Sequence, residues 1–165
     1  INRNMKKIGL ILVISIFSLS NATAQLIKVD QEVFGMDCAP CAYGLERGLK
    51  KMDGLESVKV SLNEGKAYLK LAADNTLTLQ KIQKEVKNNG FSARSAVVTL
   101  NGELVKEGNE WSLYLNGETF KVSQDTTDDV LAKLNPGKVK LMGLVKDKED
   151  DQLNSIWNIR ITEIL

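Results

Sequence analysis

The chain has 165 residues, of which 26% are charged and 43% hydrophobic, so it is long enough for one domain of ordinary size or two small ones. It contains two cysteines and no histidine, which excludes a catalytic cysteine that needs a histidine base and a closed zinc cage of four cysteine and histidine ligands. The 22 basic residues nearly balance the 21 acidic ones, so the strong positive charge of a nucleic-acid-binding protein is missing and no nucleic-acid partner is expected.

The N-terminus has the pattern of a secretory signal peptide. Lys6 and Lys7 precede the apolar run "IGLILVISIF", and Ala22 and Ala24 then offer a cleavage site. The apolar run is too short for a membrane-spanning helix, which needs about 20 residues. We therefore predict that residues 1–24 are an N-terminal extension and signal peptide. The mature protein is then periplasmic or secreted and is not embedded in a membrane.

Residues 25–98 show the periodicities of a strand, a helix, two strands, a helix and a strand. The first strand, "LIKVDQEVF", alternates in polarity and ends before Gly35, and the helix "CAYGLERGLKKM" ends before Asp53. "SVKVSL" and "KAYLKL" follow as a hairpin. The second helix, "TLQKIQKEVKNN", has Thr78 as its cap and ends at Gly90, before the strand "SARSAVV". Two helices on one face of a four-stranded antiparallel sheet make an α+β unit of the ferredoxin-like βαββαβ type.

Residues 99–165 follow a different pattern, with five short strands and one helix between the third and the fourth. This is the element order of a small OB-like β-barrel. No linker rich in proline, glycine or serine precedes it, so we expect its first strand to continue directly from the strand before it. Trp111 and Trp157 lie on alternating apolar strands and are predicted to belong to the core of the barrel. The alternative is that they are exposed, since exposed aromatic residues of OB folds can stack on nucleic acids or sugars.

The segment "GMDCAPC" after the first strand, together with "NNGF" about fifty residues later, resembles the heavy-metal-associated domain family, whose signature is GMxCxxC. The resemblance covers about residues 26–97. It implies a ferredoxin-like module that binds soft metal ions through Cys38 and Cys41, as in copper chaperones, the N-terminal domains of transport ATPases and periplasmic mercury-binding proteins. In this family the methionine that matches Met36 packs under the loop, although Met36 could instead be a soft third ligand. Phe91 is expected to shield the site from water, with ordinary packing in the core as the alternative.

The chemistry of the two cysteines also favours a site for a soft metal ion. Cys38 is expected in the loop and Cys41 in or near the first helical turn, where unpaired backbone N–H groups favour thiolates. Two thiolates a few ångström apart suit an ion that prefers sulfur and few ligands, such as Cu(I), whereas structural zinc requires four ligands. A structural disulfide is the weaker explanation, because closing so short a loop removes little chain entropy.

Asp37 leaves two alternatives open. In "GMDC" it resembles the modules of zinc-, cadmium- and lead-exporting ATPases, where the aspartate adds an oxygen ligand, but it could instead be the N-cap of the helix. Cu(I) is therefore the favoured ion and Hg(II) the next, with Zn(II) or Cd(II) if Asp37 is a ligand. We predict a metal chaperone or scavenger, not an enzyme, that delivers its ion to a metal-transporting membrane protein or to another metal-binding domain.

A thiol-disulfide oxidoreductase is the alternative function, since such enzymes also use a CxxC pair at the start of a helix. The sequences of those enzymes follow a different pattern, with an aromatic residue before the first cysteine and a later proline that faces the cysteine pair. Here Asp37 precedes Cys38, and no proline lies between Pro40 and Pro136. In an oxidising compartment the pair can nevertheless form a disulfide, which binds no metal until it is reduced.

Overall fold

The structure is a computed structural model that describes residues 23–147 and 155–165. Nearly all of the predicted signal peptide at residues 1–24 lies outside the described residues, so that assignment stays a prediction. No helix in the described ranges is long and apolar enough to cross a membrane. In chain order the elements are β1 (Gln25–Phe34), α1 (Ala39–Leu49), β2 (Leu55–Ser61), β3 (Lys66–Leu71), α2 (Leu79–Asn88), β4 (Ser92–Glu107), β5 (Glu110–Leu115), β6 (Glu118–Val122), α3 (Asp128–Leu131), β7 (Gly137–Val145) and β8 (Ile156–Ile164).

The first six elements form the predicted βαββαβ unit. Its four strands lie in the order β2-β3-β1-β4, and every neighbouring pair is antiparallel. Helix α1 buries Leu45 and Leu49, and α2 buries Leu79, Ile82 and Val86, at the spacing of three and four residues that gives a helix one apolar face. The ferredoxin-like element order predicted from the sequence is therefore confirmed.

Strand β4 carries the chain from this unit into the rest of the protein. It runs without interruption through the predicted boundary between residues 98 and 99. It pairs with β1, with β7 along residues 96–104, and with β5 along residues 103–107. Strands β4, β5, β6, β8 and β7 thereby close into a ring, with α3 between the third and fourth strands in chain order. The C-terminal region is barrel-like, while its OB-like class and the division into two domains stay predictions.

One hydrophobic core extends through both regions. Leu45 from α1, Phe120 from β6 and Ile159 from β8 are all fully buried and belong to the same cluster. Trp157 is buried as predicted. Trp111 differs from the prediction, because it is only partly buried and packs at the margin of the core.

A buried carboxylate joins the barrel to the N-terminus of α2. Glu118 begins β6 and is 3% exposed. Its Oε2 accepts a hydrogen bond from the backbone N–H of Leu79 at 2.8 Å, and its Oε1 accepts from the N–H of Gln80 and from Nε1–H of Trp157, both at 2.9 Å. The first N–H groups of a helix have no partner within the helix, so Glu118 satisfies two of them from another part of the chain. Burial raises the pKa of the Glu118 carboxyl, and these three donors oppose the shift.

The raised pKa of Glu118 predicts a pH-dependent stability. The folded carboxyl holds its proton more tightly than the unfolded one, so its contribution to the free energy of unfolding is complete below the ordinary pKa of 4.5 and is lost as the pH rises through the folded pKa. Glu118→Gln cannot ionise. From pH 4.5 towards neutral pH, the free energy of unfolding of the natural protein should therefore fall relative to that of the variant. Urea denaturation of both proteins across this range measures the difference, and a difference that does not change with pH would contradict the prediction.

Candidate metal-binding site

Helix α1 positions both cysteines at its N-terminus. Cys38 is the N-cap residue, with φ of −143° and ψ of 152°, and its Sγ accepts a hydrogen bond from the backbone N–H of Cys41 at 3.2 Å. Gly35 has φ of +89°, a value that favours glycine, where the chain leaves β1. Pro40 lies in the first turn, where the missing N–H costs no helical hydrogen bond. The helix therefore begins two residues before its predicted start, and the two cysteines lie within its first turn and cap.

In this structure Cys38 and Cys41 form a disulfide, and their Cα atoms are 5.1 Å apart. Both residues are half-buried. A sulfur engaged in a disulfide has no thiolate to offer, so this form must gain two electrons and two protons before it presents two thiols. The structure brings the two predicted ligands together in their oxidised form, and their role as metal ligands stays a prediction.

Met36 and Phe91 are the two residues expected to support the site. Met36 is 8% exposed and belongs to the hydrophobic core, as expected for a residue that packs under the loop. Phe91 is half-buried and packs against the same core. It follows Gly90, whose φ of +88° ends α2, and its N–H donates to the carbonyl of Val86 at 3.3 Å. That Phe91 shields the sulfurs from water stays a prediction.

Asp37 is exposed and does not cap the helix. The alternative expectation of an aspartate N-cap was wrong, because the chain stays extended for one more residue and the capping atom is Sγ of Cys38. Within residues 23–147 and 155–165, no group of three or more cysteine, aspartate and glutamate side chains is arranged to hold a metal ion. The role of Asp37 as a further ligand therefore stays a prediction.

Two exposed aromatic residues lie on either side of the cysteine loop in the chain. Phe34, the last residue of β1, and Tyr43, in α1, are each 63% exposed. The guanidinium of Arg94 lies 5.1 Å from the ring centroid of Phe34, and that of Arg47 lies 5.8 Å from the ring of Tyr43. The spacing of Tyr43 and Arg47 on a helix is a signal that the sequence offers. Arg94, by contrast, approaches Phe34 only because β4 pairs with β1.

Gly48 lets α1 approach the end of α2. A Cβ atom added to Gly48 would lie 2.1 Å from Oδ1 of Asn89 and 2.6 Å from its Cγ. Asn89 is held in place because its Nδ2 donates to the backbone carbonyl of Glu85 at 2.8 Å and to the Glu85 carboxylate at 3.0 Å. Gly44, one turn earlier, is exposed, and no neighbouring atom lies within 4 Å of the corresponding Cβ position. The close contact at Gly48 thus fixes how the helix that carries the cysteines packs against α2.

The part of the chain that contains this site is similar to known proteins. Residues 32–92 match the model of the heavy-metal-associated domain. The chain is 34% identical to copper-transporting ATPase 2 of Rattus norvegicus over 64 aligned residues. The alignment covers 39% of this chain and 4% of the ATPase. It is 26% identical to the copper chaperone CopZ of Staphylococcus epidermidis over 72 aligned residues. This alignment covers 44% of this chain and 98% of the chaperone. The N-terminal domain of PacS from Synechocystis PCC6803 is a similar solved structure, with 31% identity, coverage of 43% of this chain and 96% of that domain, and a TM-score of 0.35.

The two glycines of α1 form a matched pair for a stability test. Gly44→Ala should raise the free energy of unfolding by about 0.5–1 kcal/mol, because alanine is the better helix former and the added methyl group meets no neighbour. Gly48→Ala should lower it by about 1–3 kcal/mol, because the methyl group displaces Asn89 from its hydrogen bonds. Urea denaturation of the three proteins measures both changes. Equal stabilisation by the two substitutions would show that the contact between Gly48 and Asn89 does not constrain the helix pair.

Proposed function

Residues 32–92 of this chain form a heavy-metal-associated domain, and from this we propose that the reduced protein binds a soft metal ion through Cys38 and Cys41. The observation that carries the proposal is that both cysteines lie at the N-terminus of α1, where Sγ of Cys38 already accepts the N–H of Cys41. In the reduced protein the same donor favours a thiolate, which is the form that binds metal. The metal ion is the cargo of the protein.

The donor set favours Cu(I). Two sulfur atoms and no histidine are suited to an ion that prefers soft ligands and a low coordination number. The relatives named as a copper-transporting ATPase and a copper chaperone support the same choice. Hg(II), which also prefers sulfur, is the second candidate. Zn(II) or Cd(II) would require Asp37 or another donor, because two sulfurs do not complete their coordination.

An open pair of thiolates suits transfer of the ion. A thiol of a second protein can join the metal before the first two sulfurs leave, so the ion need not pass through water. We therefore propose a chaperone or scavenger that passes its ion to a metal-transporting membrane protein or to another metal-binding domain. The signal-peptide pattern in residues 5–24 supports a periplasmic or secreted location. The exposed rings of Phe34 and Tyr43 would then lie near the contact with the receiving protein.

Thiol-disulfide exchange is the second candidate, and the disulfide between Cys38 and Cys41 is the observation that favours it. In that reaction a substrate thiolate attacks one of the two sulfurs, a mixed disulfide forms, and the other sulfur leaves as a thiolate. Metal binding stands first because residues 32–92 match the heavy-metal-associated domain, and two relatives are named as a copper-transporting ATPase and a copper chaperone.

Anaerobic titration with Cu(I) tests the metal site. The fully reduced protein should bind one Cu(I) tightly, and Cys38→Ser or Cys41→Ser should each weaken binding by more than about 100-fold, because each removes one of two direct ligands. The matched control is the same natural protein with its disulfide intact, which should bind no Cu(I). Competition with a chromophoric Cu(I) chelator measures the affinities.

Two outcomes would overturn the assignment. Equal Cu(I) affinity in the natural protein and in both serine variants would show that the cysteines are not the ligands. Rapid reduction of insulin by the same preparation, without affinity for Cu(I), Hg(II) or Zn(II), would favour the exchange reaction instead.

Asp37→Asn separates the candidate ions. If Asp37 supplies an oxygen ligand for Zn(II) or Cd(II), the substitution should weaken their binding by about tenfold or more, because a neutral amide is a poorer ligand than a carboxylate. Cu(I) affinity should be unchanged, since Cu(I) is held by sulfur. Parallel titrations of the reduced variant and the reduced natural protein with each ion give the comparison. An equal loss of affinity for all the ions would assign Asp37 to the conformation of the loop.

A further inference from the structure

Strand β1 begins directly after the predicted cleavage site of the signal peptide. The site follows Ala24, and Gln25 is the first residue of the strand. Gln25 is paired with Asn101 of β4, and the next residue, Leu26, is fully buried. The carbonyl of Leu26 accepts a hydrogen bond from the side-chain amide of Asn75 at 2.8 Å. A cut after Ala24 therefore leaves the first strand complete, whereas a cut after Leu26 would remove a residue of the core.

A cut after Ala24 would place the new α-amine of the chain beside positive charges. Ala24 lines a cleft of about 240 Å³ together with Lys138, Lys140 and Glu103. Two ammonium groups and one carboxylate give the wall of this cleft a net positive charge. Positive neighbours disfavour the charged form of an amine. These surroundings therefore favour the neutral amine, which is the form that acts as a nucleophile.

The side chain of Gln25 supplies a carbonyl group that this amine can attack. Its Oε1 is buried and accepts no hydrogen bond from the residues that the structure describes. Hydrogen bonding therefore does not hold the carboxamide oxygen in one place. A bond between the backbone N of a glutamine and its own Cδ closes a five-membered ring, which carries little strain. An amine and its electrophile are thus parts of the same residue.

We propose that Gln25 is the first residue of the mature protein and that it closes to a pyroglutamyl lactam. A signal peptidase first hydrolyses the bond between Ala24 and Gln25 with one water molecule. The backbone N of Gln25 then attacks Cδ, so that the N–Cδ bond forms, the Cδ–Nε2 bond breaks and ammonia leaves. The reaction needs no oxidant or reductant. The proposal rests on the exported location proposed above and not on the metal ion.

The lactam changes the chemistry of the N-terminus. It removes the positive charge of the terminal amine, which would otherwise lie near Lys138 and Lys140. It also removes the primary amine that aminopeptidases recognise. Strand β1, which leads into the cysteine loop at Gly35, is then protected from removal residue by residue. The modification would preserve the first strand of the sheet in a compartment that contains other peptidases.

Mass spectrometry of the exported protein tests the proposal. The full precursor is produced in a bacterium that exports it, and the mature protein is purified from the periplasm. After reduction of the disulfide, its mass should be that of residues 25–165 less about 17 Da, the mass of ammonia. Edman degradation should give no sequence, because the lactam has no primary amine. After treatment with a pyroglutamyl aminopeptidase, the sequence should begin at Leu26.

Gln25→Asn is the matched control. Asparagine keeps the carboxamide, but the corresponding ring would have only four members, so the variant should be cut at the same bond and keep its amine. Its mass should be that of the uncyclised chain, and Edman degradation should begin at residue 25 without the aminopeptidase.

Three results would overturn the proposal: an open glutamine at residue 25 of the natural mature protein, a different first residue, or a precursor that is not cut. The first two would leave the exported location standing, whereas an uncut precursor would contradict that location as well. None of these results bears on whether Cys38 and Cys41 bind a metal ion, so they are distinct from a failure of the metal site.

Discussion

The backbone hydrogen bonds of β4 are the constraint on which both regions of the protein depend. Along residues 96–101 this strand is bonded to β1 on one side and to β7 on the other. Buried N–H and C=O groups must be paired, so the ferredoxin-like sheet and the barrel complete each other at a single strand. If β4 belonged to one region alone, the other would expose a long unpaired edge. The strand that precedes the cysteine loop, β1, and the strands of the barrel are therefore parts of one hydrogen-bonded sheet.

Glu118 adds a second and chemically different connection between the regions. Burying a carboxylate is costly unless hydrogen bonds compensate, and here the compensation comes from two backbone donors of α2 and from the indole of Trp157. The two backbone donors would otherwise lack partners, because the first turn of a helix cannot satisfy its own N–H groups. Asn116, just before β6, also donates to the carbonyl of Leu77 at 3.2 Å. Together these bonds set the orientation of α2 relative to the barrel.

The two sulfurs at the start of α1 can serve one chemistry at a time. As a disulfide they are bonded to each other, and as thiolates they would be available for the metal binding proposed above. The anchors of α1 lie away from the sulfurs: Leu45 and Leu49 are buried in the core, and Gly48 lies close to Asn89. The two sulfurs thus lie at the end of a helix whose packing is provided by other residues.

Local patterns in the sequence determined the βαββαβ order, the order of strands and helix along the C-terminal region and the position of Cys38 and Cys41 at a helix start, because periodicity, caps and turns act over a few residues. The tertiary structure decided the rest. That Cys38, and not Asp37, is the N-cap depends on how the chain leaves β1 at Gly35. That Gly48 is needed depends on Asn89, far away in the sequence. The sequence pattern predicted Glu118 only as the polar first residue of a strand. Its role as a buried hydrogen-bond acceptor depends on the tertiary positions of α2 and Trp157. These contacts join residues that are distant along the chain, and no local pattern records which distant groups folding brings together.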